Sequence, residues 1–92
     1  MVVGSLRVRL LLRDSRSLKD KRQVGRSIKD RLRNEFGVSV AEVDAQDHRQ
    51  LLVLGVALVG AERKPVQTTL EHVVAALRSH PVAELLDHEM DV

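Results

Sequence analysis

Five cations, Lys19, Arg22, Arg26, Lys29 and Arg33, recur at spacings of 3, 4, 3 and 4 residues, which at about 3.6 residues per turn confines them to one sector of a helix. No acid interrupts that stripe. Like charges three or four apart cost an isolated helix about 0.2–0.5 kcal/mol per pair, so this run costs roughly 1–2 kcal/mol until anions relieve it. From Lys19 to Arg33 the stripe covers about 21 Å, long enough to follow several phosphates of an RNA backbone. The spacing predicts contact with a polyanion, and RNA is the partner expected. The competing reading is a solvated helix face, softened by Asp30 and by acids on neighbouring elements.

Other candidate chemistry is weaker. Glu42, Asp44, Asp47 and His48 crowd one short stretch, and carboxylates with an imidazole could hold a divalent cation. Their spacing matches no closed metal motif, so no metal is expected, and a recognition loop for protein or RNA is the better reading. His72 and His88 have no sequence-defined catalytic partner, and Ser5, Ser15, Ser27, Ser39 and Ser79 show no nucleophile elbow. There is no P-loop and no dinucleotide fingerprint. No catalytic residue and no cofactor is expected, which points away from an enzyme.

These side chains need elements to position them. Val2 to Arg13 alternates, with Leu6, Val8, Leu10 and Leu12 on one side and Arg7, Arg9, Leu11 and Arg13 on the other, as a strand with one buried face does. Ser17 with Asp20 fits a capping box, and Gly37 suits a left-handed cap, which brackets a helix carrying the cations beside an apolar stripe of Leu18, Val24, Ile28, Leu32 and Phe36. Lys21 falls within that apolar stripe, so its alkyl stem is expected to cover the core edge while its ammonium escapes at the helix end. Val38 to Val43 reads as strand, 44–50 as a connecting loop, and Leu51 to Val59 as a central strand apolar at every position. Pro65 suits the first turn of a second helix that closes at His80 and Pro81, and Ala83 to Asp91 alternates Leu86, His88 and Met90 with Asp87, Glu89 and Asp91.

That order, β-α-β-β-α-β, predicts an α+β ferredoxin-like sandwich filling residues 1–92: a four-stranded antiparallel sheet with both helices on one face. First and last strands would then pair, setting Arg7, Arg9 and Arg13 near Asp87, Glu89 and Asp91. Leu51, Val53, Gly55, Ala57 and Val59 would face away from the helices as a bare apolar strip, the expected interface of a homodimer.

Composition supports one aliphatic domain. The 92 residues are 43% hydrophobic with Phe36 the only aromatic, and no cysteine is present. Disulfides and thiolate metal sites are therefore excluded, and base stacking on sheet aromatics has no residue to perform it. The net charge of +2 hides an asymmetry: residues 1–33 hold eleven Lys and Arg against three acids, and residues 34–92 four against ten. The longest apolar run is half what a spanning helix needs, and the N-terminus lacks signal-peptide order, so a cytoplasmic protein is expected.

The segments MVVGSL over Met1–Leu6, RSLKDKR over Arg16–Arg22, DRLRN over Asp30–Asn34, VSVAEVD over Val38–Asp44, Gln46 with Asp47, and LGVA over Leu54–Ala57 together resemble the YlxP-like family of small bacterial proteins, a domain of unknown function. The resemblance implies a ferredoxin-like fold and a bacterial cytosolic protein often encoded beside genes for translation initiation and ribosome assembly. It implies no established activity. The chain departs from the family at Asp47, His48 and Arg49 followed by Gln50, and again at His88, where an aromatic is often found.

The expected function is a non-enzymatic, homodimeric accessory protein of translation or ribosome assembly that touches RNA or a ribosomal particle through the stripe. The alternative is a homodimeric regulatory module that binds a protein or small molecule at the open sheet face or the hairpin.

Overall fold

The computed structural model describes residues 1–92. Its elements are β1 (Val2–Leu11), α1 (Leu18–Phe36), β2 (Ser39–Asp44), β3 (Leu51–Gly60), α2 (Arg63–Arg78) and β4 (Glu84–Asp91). The strands form one sheet in the order β2-β3-β1-β4, and every neighbouring pair is antiparallel. Its spine is the β1–β3 ladder, running from Val2 opposite Gly60 to Leu11 opposite Leu51. Both helices cover one face, giving the ferredoxin-like α+β sandwich that the alternation predicts.

Leu6, Val8, Leu10 and Leu12 meet Leu52, Leu54 and Val56 on the covered face, where Ile28 and Leu32 of α1 and Val66, Leu70, Val73, Val74 and Leu77 of α2 complete one core. A Cβ placed on Gly4 would lie 2.5 Å from Val66 Cγ1 and 2.9 Å from Leu70 Cδ1, so the missing side chain is what lets α2 seat on the sheet.

Helix α1 begins where Ser17 Oγ accepts the Asp20 N–H at 3.0 Å. The return contact is displaced by one residue from the expected box: Asp20 Oδ2 accepts from Arg16 N at 2.9 Å. Gly37, at φ 64°, closes the helix in the left-handed region and donates its N–H to Arg33 O.

Strand β4 departs from simple alternation. The β1–β4 ladder shifts register between Arg9 and Leu10, whose partners are Asp87 and Leu85. The skipped Leu86 is turned out to 43% exposure, while Leu85 packs against the core beside Met90. One extra residue in a bulge inverts the pattern on one side of it.

Lys21 overturns its expectation. Its ammonium does not escape: the residue is 1% exposed, and Nζ donates to Ala45 O at 2.9 Å, Gln46 O at 3.1 Å and Leu51 O at 3.2 Å. The β2–β3 loop folds back over the first turns of α1 and closes that end of the helix over the ammonium. Three carbonyls saturate the three ammonium protons. Glu42 Oε2 lies 2.9 Å from the same nitrogen without receiving a hydrogen bond, and supplies the countercharge. Ala45, a non-glycine residue at φ 54°, sits within this clamp, so the contact holds a backbone conformation that an L-residue rarely adopts.

Candidate nucleic-acid interface

The basic flank of α1 runs beside β2, an edge strand of the sheet. Gly25 brings the helix close to β3, for a Cβ there would meet Leu52 Cδ1 at 3.5 Å. Below it, Arg22, Arg26 and Lys29 border a cleft of about 110 Å³ whose floor includes Lys21, Glu42 and Leu52. Helical spacing places the cations on one line, and the β2 edge beside them leaves that line open.

Lys19, Arg22 and Arg26 are exposed and Lys29 is half-buried. None of the four is in any ion pair. Arg33 is different: Nη2 donates to Val40 O at 2.7 Å and Nη1 lies 3.4 Å from Asp30 Oδ1. It ties the end of α1 to a carbonyl of the edge strand, blunting an edge that would otherwise invite pairing. Helical periodicity put Arg33 in the stripe; the contact across the chain assigns its guanidinium to the fold.

Ion pairing sorts the N-terminal charge. Arg7 pairs with Asp44 at 2.8 Å, Arg13 with Glu84 at 2.6 Å and Arg31 with Glu35 at 2.9 Å. Arg9 grips Asp87 through Nε at 2.8 Å and Nη2. The β1–β4 ladder sets Arg7 opposite Glu89 and Arg9 opposite Asp87, as the expected pairing implies. Of the acids Asp87, Glu89 and Asp91, Asp87 alone forms an ion pair, because Asp44 reaches Arg7 from across β3 and the bulge brings Glu84 to Arg13. The side-chain hydrogen bond from Arg9 holds the Asp87 carboxyl below its ordinary range, and the same bond raises the Arg9 guanidinium. Among the first 33 residues, the cations left without an acid partner are Arg16, Lys19, Arg22, Arg26 and Lys29. All lie on α1 or at its entry. Arg16 precedes Lys19 by three residues, an interval of the stripe, but lies before the start of α1, where helical periodicity gives no signal for it.

The acids of the hairpin do not converge. Glu42 faces Lys21, and Asp44 bonds Arg7 and the Ala45 N–H. His48 Nδ1 accepts from Gln50 N and Leu51 N. No group of three His, Asp or Glu side chains comes together in a geometry that could hold a metal ion. His72 is exposed on α2, and His88 is half-buried opposite Val8.

On the helix-free face, Ala57 and Val59 are exposed and Leu51 and Gly55 half-buried. Val53 does not belong to a bare strip. It is 2% exposed, because it lies in register between Arg9 and Asp44, whose side chains flank it. Val43 lies directly over Gly55, with a Cβ there only 2.8 Å from Val43 Cγ1. A trough of about 630 Å³ crosses this face, with Ser5, Ser39, Ala41, Gly55 and Ala57 among its lining residues. No helix is long and apolar enough to cross a membrane.

The family model described as "Protein of unknown function (DUF503)" matches residues 3–90. The "Uncharacterized protein YlxP" of Bacillus subtilis (strain 168) is 34% identical over 83 residues, covering 90% of either chain. Matches over nine-tenths of the chain in both comparisons, joined to the sandwich described above, show that the chain belongs to the DUF503 family of YlxP-like proteins of unknown function.

Proposed function

We propose that this protein is a non-enzymatic accessory factor of translation or ribosome assembly that binds RNA phosphates along α1. The observation that carries the reading is the segregation of charge: other N-terminal cations have acid partners, whereas Lys19, Arg22, Arg26 and Lys29 form an unpartnered line. Arg16 extends it. Such a line is relieved by a polyanion and reads backbone rather than sequence. The resemblance to a family often encoded beside translation and ribosome-assembly genes selects RNA among polyanions.

The test is binding of purified protein to small-subunit ribosomal RNA and particles across a salt series, with an Arg22→Gln, Arg26→Gln, Lys29→Gln variant alongside. Four phosphate contacts lower affinity by roughly two orders of magnitude between about 50 and 200 mM salt. The variant should bind weakly with a shallower slope. Equal binding by the variant sinks the reading.

A second copy is the proposed occupant of the helix-free face, where Val3, Val43 and Val59 are 55%, 49% and 61% exposed and Val43 lines the trough. Sedimentation of Val59→Lys against the parent tests it, with a monomeric variant expected from a dimeric parent. The trough also supports the rival reading, a regulatory module for a protein or small molecule, and that reading gains if RNA binding is absent.

A further inference from the structure

A second feature lies at the entry of α1. The β2–β3 loop and the β1–α1 loop enclose a cleft of about 500 Å³ lined by Ser15, Arg16, Asp47, His48, Arg49 and Gln50, with no apolar residue among them. Its frame is tightly built. Ser15 Oγ donates to Arg49 O at 2.7 Å, and Gln50 Nε2 donates to Arg13 O at 3.1 Å and Ser15 O at 3.3 Å, tying one loop to the other. Lys21 anchors the same hairpin from beneath through Ala45 O and Gln46 O. His48 Nδ1 accepts from Gln50 N at 3.1 Å and Leu51 N at 3.0 Å, so the ring is held in place as a plate by its Nδ1 edge.

Three lining side chains take no part in that frame. Arg16, Asp47 and Arg49 border one cleft yet form no ion pair with each other or with any other residue. Two guanidiniums, one free carboxylate and a fixed imidazole therefore face a rigid opening whose volume suits a nucleotide.

We propose that this cleft holds one unstacked guanine nucleotide of the RNA strand whose backbone follows α1. The inference rests on the RNA reading above and adds to it the element of sequence selection that a phosphate track lacks. A backbone passing Arg26, Arg22 and Lys19 arrives next at Arg16, on the edge of the cleft. Guanidinium planes and imidazole rings stack on splayed bases, a role that the sheet cannot fill in a chain whose only aromatic is Phe36. Asp47 decides the base. A carboxylate accepts through two oxygens and donates nothing, and guanine is the RNA base with two adjacent N–H donors on its Watson–Crick edge, N1–H and the N2 amine. A bare acid beside a phosphate track repels the strand unless the ligand brings donors to it.

The experiment is fluorescence anisotropy at low salt with three labelled strands: oligouridine, the same strand with one central guanosine, and the same strand with inosine, which lacks the N2 amine. Guanosine should raise affinity roughly ten- to a hundredfold over oligouridine, with most of the gain lost for inosine. Asp47→Asn should remove the preference while binding oligouridine no more weakly; Asp47 is exposed and bonded to nothing, so folding is untouched. Guanosine monophosphate, lacking the flanking phosphates, should compete at least about tenfold more weakly than the guanosine strand. Equal affinity for the three strands, a preference that survives Asp47→Asn, or equal competition by the mononucleotide overturns the cleft assignment. In those cases loss of oligouridine binding by the Arg22→Gln, Arg26→Gln, Lys29→Gln variant still upholds the stripe. Absence of binding to every strand overturns both.

Discussion

Lys21 Nζ and Glu42 Oε2 stand 2.9 Å apart in a setting where the lysine side chain is 2% exposed and the glutamate side chain 21%. The cation is fully hydrogen-bonded to backbone, whereas Glu42 Oε2 receives no hydrogen bond. Their roles are therefore unequal: Lys21 holds the hairpin, and Glu42 balances its charge.

That inequality orders two substitutions. Lys21→Met leaves three carbonyls unbonded and a half-buried carboxylate without its cation, which costs about 3–5 kcal/mol. Glu42→Gln keeps the three carbonyl bonds and costs on the order of 1–3 kcal/mol. Urea unfolding midpoints give the order directly, and a Glu42→Gln loss equal to that of Lys21→Met contradicts it.

Two glycines should respond to alanine with opposite signs. At Gly4 the new Cβ collides with Val66 and Leu70 at 2.5 and 2.9 Å, and overpacking of this kind costs about 1–3 kcal/mol. At Gly25 the nearest atom is 3.5 Å away, an ordinary contact. Removing backbone freedom in mid-helix there stabilises by about 0.5–1 kcal/mol. Thermal melts of Gly4→Ala and Gly25→Ala should move in opposite directions.

His80 contributes a pH dependence. Burial, and secondarily the charge of Arg31, lower its pKa from the ordinary 6.5, and its Nδ1 accepts the Val82 N–H at 3.3 Å. The folded chain thus binds fewer protons at this site than the unfolded chain. Its contribution is complete above pH 6.5, and stability declines as pH falls from there towards the depressed folded value. Melting temperature followed from pH 8 to 5 should fall less steeply in His80→Gln, and Arg31→Gln should recover part of that difference.

Arg33 and Arg26 separate fold from binding. Arg33→Gln loses the bond to Val40 O and should cost about 1 kcal/mol of stability, with the salt slope of RNA binding nearly unchanged. Arg26→Gln should leave stability within about 0.5 kcal/mol and reduce the slope by about 0.7 for a single strand. Paired melts and salt titrations distinguish them; the reverse assignment contradicts the geometry.

Local pattern made most of the architecture legible. Alternation over Leu6, Val8, Leu10 and Leu12 marked the covered face of β1, Ser17 and Gly37 marked both ends of α1, and the 3-4-3-4 spacing put the cations on one flank, because each signal depends only on neighbours in the chain.

The sequence by itself determined the element order, the buried face of β1 and the line of cations, since backbone periodicity and capping act within a few residues. Tertiary structure alone decided which charges are available. It bonded Arg33 to Val40 O, buried Lys21 beneath Ala45, Gln46 and Leu51, covered Val53 between Arg9 and Asp44, displaced Leu86 by a bulge and brought Arg16 to Arg49 across 33 residues of chain. Each follows from where one element or loop comes to lie against another. A charge's partner is set by which loops fold back over it, and that follows from long-range register, which no local spacing encodes.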